Sequence, residues 1–178
     1  MNTGHISTRY ATALLDYAIE KGQHEEVYAK MKLLAEVFLK VPELRLALQD
    51  LSIPKKDKAN IIRTACGGEL PSALDEMNGL ILKNEREEHL QSITQRFIDL
   101  YRIRFQLQAG KLITAVPADD TTKNKLVERI QQVTGEELEI ETEVNPGIIG
   151  GFILKLDDFR WDASVTGELQ RIKHSLVK

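Results

Sequence analysis

The sequence predicts an α+β protein: a six-helix bundle over residues 1–108, then a small α/β domain ordered β-α-β-β-β-α over residues 109–178. Three observations carry this. Apolar residues recur at intervals of three and four from Ile6 to about Gln108, the spacing of one helical face. After Gly110, β-rich runs and one strictly alternating run replace that period. Pro and Gly punctuate the joins, and no long linker, internal repeat or low-complexity tract interrupts the chain.

Within the first half, Val27, Met31, Leu34, Phe38 and Val41 form a near-heptad stripe, and Leu90, Ile93, Phe97, Tyr101 and Phe105 form another. Pro42 opens a short helix with Leu44, Ala47, Leu48 and Leu51. Pro54 precedes a helix with Ala59, Ile62, Ala65 and Cys66 turned inward. Gly67 and Gly68 suit its left-handed termination. Pro71 suits the first turn of a fifth helix, where its missing N–H costs nothing. On that helix Leu74, Met77 and Ile81 make one stripe, flanked by Leu80 and Leu82, and Gly79 sits mid-helix at a cost of roughly 1 kcal/mol relative to Ala.

The first helix carries surplus apolar surface. On a helical wheel its apolar residues between Ile6 and Ile19 sweep about 240°, interrupted by Ser7, where a surface helix needs about 100°. Either the helix is central and packed on most sides, or one stripe is core and another receives a partner. A groove beside the fifth helix would suit an amphipathic partner helix.

In the second half, K-L-I-T-A-V at 111–116 reads as a strand that stops at Pro117. Asp119 and Asp120 offer an N-cap for a helix bearing Leu126, Ile130 and Val133, closed by Gly135. From Glu137 to Val144, Leu138, Ile140 and Val144 share one face, and four glutamates share the other. Pro146-Gly147 turns into F-I-L-K-L, and Asp157-Asp158 turns into Phe159–Trp161. Asp162, Ala163 and Ser164 are expected at the start of a last helix with Val165, Leu169, Ile172 and Leu176 on one stripe.

Composition narrows the function. A net charge of -3 argues against non-specific nucleic-acid binding, which needs clustered cations. A single cysteine, Cys66, allows no intramolecular disulfide and suits a reducing compartment; it is expected as a small buried apolar residue. No apolar run approaches the roughly 20 residues of a membrane span. His5, His24, His89 and His174 are scattered without metal-ligand spacing, so no metal is expected. G-I-I-G-G at 147–151 lacks the order of a phosphate loop and precedes a strand, so no nucleotide cofactor is expected. Asp162 and Ser164 are expected as helix-capping groups. Lys55, Lys56 and Lys58 are expected on a solvated face. His24-Glu25-Glu26 and Glu87-Glu88-His89 are expected as solvated first-turn residues.

Two stretches resemble a known family. R-Y-A-T-A-L at 9–14, and the run from Gly147 to Leu169 with a glycine in an apolar strand and then Asp-x-Ser-apolar before a helix, are similar to the delta subunit of bacterial F-type ATP synthases, a relative of the mitochondrial oligomycin-sensitivity-conferring protein. Ala163 stands where that family usually has glycine, and Trp161 where it has an aliphatic residue. The resemblance implies a non-catalytic stator subunit with no cofactor. It would couple the catalytic head to the peripheral stalk of a proton- or sodium-translocating synthase. Tyr10, Ala13, Leu14 and Tyr17, with Met77, Gly79 and Leu80, would form the groove for the N-terminal helix of an alpha subunit. Gly150, Asp162, Ser164, Val165 and Leu169 would carry the C-terminal signature, in the domain that binds stalk subunit b. It further implies a chain that is monomeric in isolation and peripheral at the cytoplasmic face of the bacterial inner membrane. A small helical adaptor for amphipathic helices would explain the first helix equally well, but not the C-terminal motif. An enzyme using the glycine turn to hold a nucleotide is the third reading.

Overall fold

The computed structural model describes residues 3–117, 137–156 and 159–176. Among these residues it has seven α-helices and a four-stranded mixed sheet. The chain divides into two compact units, residues 1–103 and 104–178.

The first unit is helical. Its elements are α1 (Thr3–Glu20), α2 (His24–Lys40), α3 (Pro42–Gln49), α4 (Lys55–Ala65), α5 (Ser72–Lys83) and, after a 3-10 turn at Glu87–His89, α6 (Leu90–Phe105), which runs across the division. The stripes set the core: Val27, Met31, Leu34 and Phe38 from α2 are buried, as are Leu90, Ile93, Phe97 and Tyr101 from α6. Each such aliphatic side chain contributes about 1.5–3 kcal/mol. Tyr28 stacks on Tyr101 with ring centroids 4.0 Å apart. Helix α4 closes on glycines with positive φ: Gly67 N–H bonds Thr64 O at 3.0 Å, and Gly68 N–H bonds Arg63 O at 2.9 Å, satisfying carbonyls the helix leaves open. Pro71 precedes α5 as its N-cap rather than lying in its first turn, and it has no side-chain cap to offer. Gln23 supplies one from the α1–α2 connection, its Oε1 accepting from Ala73 N and Ser72 Oγ, each at 3.1 Å.

The structure corrects several expectations here. Leu51 is not on α3, which ends at Gln49; Asp50 Oδ1 accepts from Ser52 N–H at 2.8 Å, a local turn that competes with another helical residue, and Leu51 is 96% exposed. Lys58 is not on a solvated face, and Glu87 is not a solvated first-turn acid. They are 2% and 9% exposed, and Lys58 Nζ donates to Glu87 Oε1 at 2.7 Å. Lys58, Ile62 and Cys66 are spaced four and four, so one stripe carries all three inward, and the ammonium needs a buried anion. Glu87 meets that need. Burial raises its carboxyl pKa, but the hydrogen bond and charge of Lys58 outweigh this and hold it below the usual value. His24 is half-buried against Tyr101, its Nδ1 3.2 Å from the hydroxyl, whereas Glu25 and Glu26 are exposed. Cys66 is fully buried, and desolvation pushes its thiol up to about 11.

The second unit is built on β1 (Leu107–Thr114), β2 (Glu137–Val144), β3 (Gly151–Leu156) and β4 (Phe159–Ser164), followed by α7 (Val165–Leu176). Strand order is β2-β1-β3-β4, with β1 and β2 parallel and the other pairs antiparallel. The strand expected at 111–116 begins four residues earlier, because Leu107 already pairs with Glu137. Alternation gives the sheet two apolar faces. Leu112, Leu154 and Leu156, with Leu138, Ile140 and Phe152, form one; Ile113, Ile148 and Ile153, with Ala115, form the other. Val144 lies outside both clusters and is exposed. Glu143 on β2 pairs with Lys111 on β1. The helix expected between Asp119 and Gly135 lies outside the described residues.

Candidate functional site

Two surfaces hold the residues that the sequence singles out. The first lies along α1 and α5. Ser7, Ala11, Leu14, Leu15 and Ala18 face the core within an arc of about 100° on α1, the width a surface helix needs. The buried Ser7 hydroxyl is satisfied by Ser92 Oγ at 2.7 Å. Ile6, Tyr10, Ala13 and Tyr17 form a neighbouring stripe about 60° wide, in which Ala13 is exposed and the other three are half-buried. The helix is therefore not central, and its surplus apolar arc reaches solvent.

Cross-links fix this stripe against α5. Tyr17 Oη donates to Glu76 Oε2 at 2.8 Å, and Asn84 Nδ2 donates to Tyr10 Oη at 2.9 Å. Lys21 Nζ sits 5.2 Å from the Tyr17 ring centroid, a cation–π contact; the Tyr17 hydroxyl first, then the charge of Glu76, hold this ammonium above the usual lysine value. Leu80 on α5 is 45% exposed. Gly79 lies about 100° around the helix from it, and a side chain there would meet nothing within 4 Å. Leu14 and Met77 belong to the core, so their contribution is a rigid support rather than contact surface. Glu76 and Asn84 escaped the sequence reading; the signal for them was the two tyrosines, whose hydroxyls require partners when half-buried.

The second surface is the C-terminal signature. Asp162 and Ser164 are the end of β4, not the first residues of the helix, which begins at Val165. Ser164 Oγ donates to Asp162 Oδ1 at 2.6 Å and accepts from Gly167 N–H at 3.0 Å, capping α7. Ser164 N–H also bonds Asp162 Oδ1, at 3.1 Å, and Arg160 Nη2 reaches Oδ2 at 2.9 Å. The Ser164 donors, helped by Arg160, hold the Asp162 carboxyl below its usual value. Arg171 bonds Asp162 O at 2.6 Å. Both functional-looking groups are thus consumed by the strand-to-helix turn. Neither a free general base nor an activated hydroxyl is left.

The glycines divide the work of this turn unequally. Gly150 O accepts from Val165 N–H at 3.0 Å, and a Cβ on Gly150 would approach Val165 Cγ2 to 3.1 Å. Gly151 is the stricter position. Its φ is 74°, and a Cβ would fall 2.1 Å from Ala163 O of the partner strand. Ile149 also has positive φ, 66°, which is rare for a β-branched residue, and its side chain is exposed. On α7, Val165, Leu169 and Ile172 are exposed along an arc of about 60°. The apolar stripe of α7 is therefore turned outward.

No group of three or more His, Cys, Asp or Glu side chains among the described residues could hold a metal ion. What the two units offer is apolar helical surface.

The family model and the similar sequences agree on one family. The sequence model of the ATP synthase delta (OSCP) subunit matches residues 6–176. The chain is 37% identical to ATP synthase subunit delta of Bacteroides thetaiotaomicron, over 99% of this chain and 96% of that protein. It is 36% identical to the Phocaeicola vulgatus protein of the same name, with the same coverage, and 35% identical to that of Parabacteroides distasonis, over 100% and 99%. Among solved structures, a chain of the Toxoplasma gondii mitochondrial ATP synthase hexamer aligns with a TM-score of 0.60 and 19% identity, covering 97% of both chains, which is a likeness of fold. On the strength of the match from Ile6 to Leu176 and of relatives this similar over their full length, the chain belongs to the ATP synthase delta (OSCP) subunit family.

Proposed function

We propose that this chain joins the catalytic head of an F-type ATP synthase to its peripheral stalk through two separate surfaces, one on each unit. As a delta subunit it is non-catalytic and belongs to the stator side of the complex. No helix among the described residues is long and apolar enough to cross a membrane. In this reading its place in the synthase is peripheral, as a member of the delta subunit family. In this reading the six helices of the first unit form a bundle that receives the N-terminal helix of an alpha subunit along Tyr10, Ala13, Tyr17 and Leu80. The second unit receives subunit b along the α7 stripe at Val165 and Leu169, beside Gly150. The assembly sits at the cytoplasmic face of the inner membrane.

The observation that supports this is an apolar helical stripe on each unit that is not covered by the core, half-buried around the exposed Ala13 on α1 and exposed on α7. The physical task is to hold the head still against rotor torque. Two interfaces on one short chain serve it by tethering, because each bound site raises the effective concentration of the other. The adaptor reading accounts for α1 but not for a family match that covers both units.

The test uses the full chain with two ligands, an alpha-subunit N-terminal peptide and the soluble domain of subunit b, in calorimetry. Ala13→Asp places a carboxylate in the α1 stripe without touching the core. The melt should be unchanged and the peptide affinity at least tenfold lower, about 1.4 kcal/mol or more. Subunit b binding should be unaffected. Leu169→Asp should do the reverse. Unchanged affinity for both ligands in both variants would remove these stripes from the interfaces.

A further inference from the structure

Separate from both docking surfaces, residues of α3, of the connection 50–54, of the start of α4 and of the segment 85–88 line an open cleft of about 330 Å3. That volume falls in the range of about 300–1,000 Å3 common for small-molecule sites. Its apolar wall is Leu48, Leu51 and Ile53, and its polar wall includes Lys58 and Glu87. Three features of this cleft call for an occupant. Leu51 is almost fully exposed. Glu87 Oε2 is buried with no hydrogen-bond partner, whereas nearly all buried acceptors have one. Lys58 gives one N–H to Glu87 Oε1, and an ammonium has three to give. The terminal torsion of a glutamate is soft, so a modest rotation presents Oε2 to the cleft while Oε1 keeps Lys58.

The charges narrow the ligand. Lys58 and Glu87 balance each other. Of the other ionic groups around the cleft, Lys55 is paired with Glu85 at 3.1 Å, and Glu88, 3.2 Å from the His89 ring nitrogen, is an exposed carboxylate that water screens. An added cation would face the buried ammonium and an added anion the buried carboxylate, each without a compensating partner. We propose that the cleft binds a small uncharged molecule with an apolar body and one carboxamide or hydroxyl head. The head donates to Glu87 and accepts from Lys58, and the body covers Leu51 and Ile53.

The test titrates the isotopically labelled full chain with benzamide and follows backbone amide shifts by NMR. Saturable shifts are expected at Leu51, Ile53, Lys58 and Glu87, with a millimolar Kd. Acetophenone has the same shape and acceptor but no N–H, and should bind at least tenfold more weakly; benzylamine and benzoate should also bind more weakly. The double variant Lys58→Met, Glu87→Leu removes both polar partners together and should abolish saturation. Shifts that stay linear to the solubility limit, acetophenone binding as tightly as benzamide, or a folded double variant that binds as well as the native chain would each overturn the proposal. If the double variant does not fold, the comparison of benzamide with acetophenone on the native chain decides.

Discussion

Replacing Lys58 by alanine should be among the most damaging single changes in the first unit, although lysine is usually a surface residue. The Lys58 and Glu87 side chains are 3% and 10% exposed, and they meet at 2.7 Å. Alanine at 58 would strand a buried carboxylate whose Oε2 already lacks a partner. Breaking one side of a buried pair costs about 3–5 kcal/mol. At roughly 4–8 °C per kcal/mol for a domain near 100 residues, the melt should fall by on the order of 20 °C. The double variant Lys58→Met, Glu87→Leu should lie within about 1 kcal/mol of the native chain, because it removes both desolvation penalties together. Acid separates this account from simple loss of packing. In the native chain the Glu87 pKa is lowered, so its stabilisation is present above the unfolded value near 4.3 and is lost as pH falls through the folded value. Without Lys58, burial is opposed only by the backbone hydrogen bond at Glu87 and the charge of Lys55, so that pKa rises above its value in the native chain and the variant loses less stability than the native chain as pH falls. The gap between native and Lys58→Ala should therefore narrow on acidification. Urea melts at pH 7 and pH 4, followed by the helical circular dichroism signal, measure it. A cost below 1 kcal/mol at pH 7, or a gap independent of pH, would refute the reasoning.

Three further outcomes follow from the geometry. Gly151→Ala should destabilise the second unit by at least about 2 kcal/mol in denaturant melts, since it adds a left-handed backbone cost of ~1–2 kcal/mol to a steric one of ~1–3 kcal/mol; a neutral effect would mean that β3 and β4 part easily at Ala163. Ser164→Ala should cost about 0.5–2 kcal/mol through loss of the Gly167 cap, and Ser164→Asp should recover part of that as an alternative N-cap; equal melts for all three chains would deny the cap its role. A chain ending at Gln108 should fold alone with a cooperative helical melt, because the buried stripes of α1 to α6 lie within it; a non-cooperative melt by circular dichroism would count against this.

The legible parts of the fold share a cause. The stripes on α2 and α6 are long, and their burial follows from period alone. The alternation in β2 places Leu138 and Ile140 on the sheet's apolar face for the same reason. Leu107–Gly110 was not legible as strand, since Gln, Ala and Gly carry little β preference; pairing with Glu137–Ile140 overrides it. Leu51 misled because its spacing continues α3, while Asp50 turns the chain locally. Around the C-terminal signature, residue types pointed to a cap but not to its owner: the serine caps, and the aspartate orients the serine.

By itself the sequence determined the α+β class, the change of period between the halves and the resemblance to the delta subunit family, because these rest on local spacing and on residue identity. It also determined that Tyr10, Ala13 and Tyr17 share a face. Only the tertiary structure decided that this face reaches solvent while Leu14 is core, that the α7 stripe points outward, and that Lys58 is buried with Glu87. Period reports which residues of an element lie together. Which side of the element is covered, and which distant charge completes a buried pair, depend on neighbours brought close by packing, and Lys58 and Glu87 stand 29 residues apart.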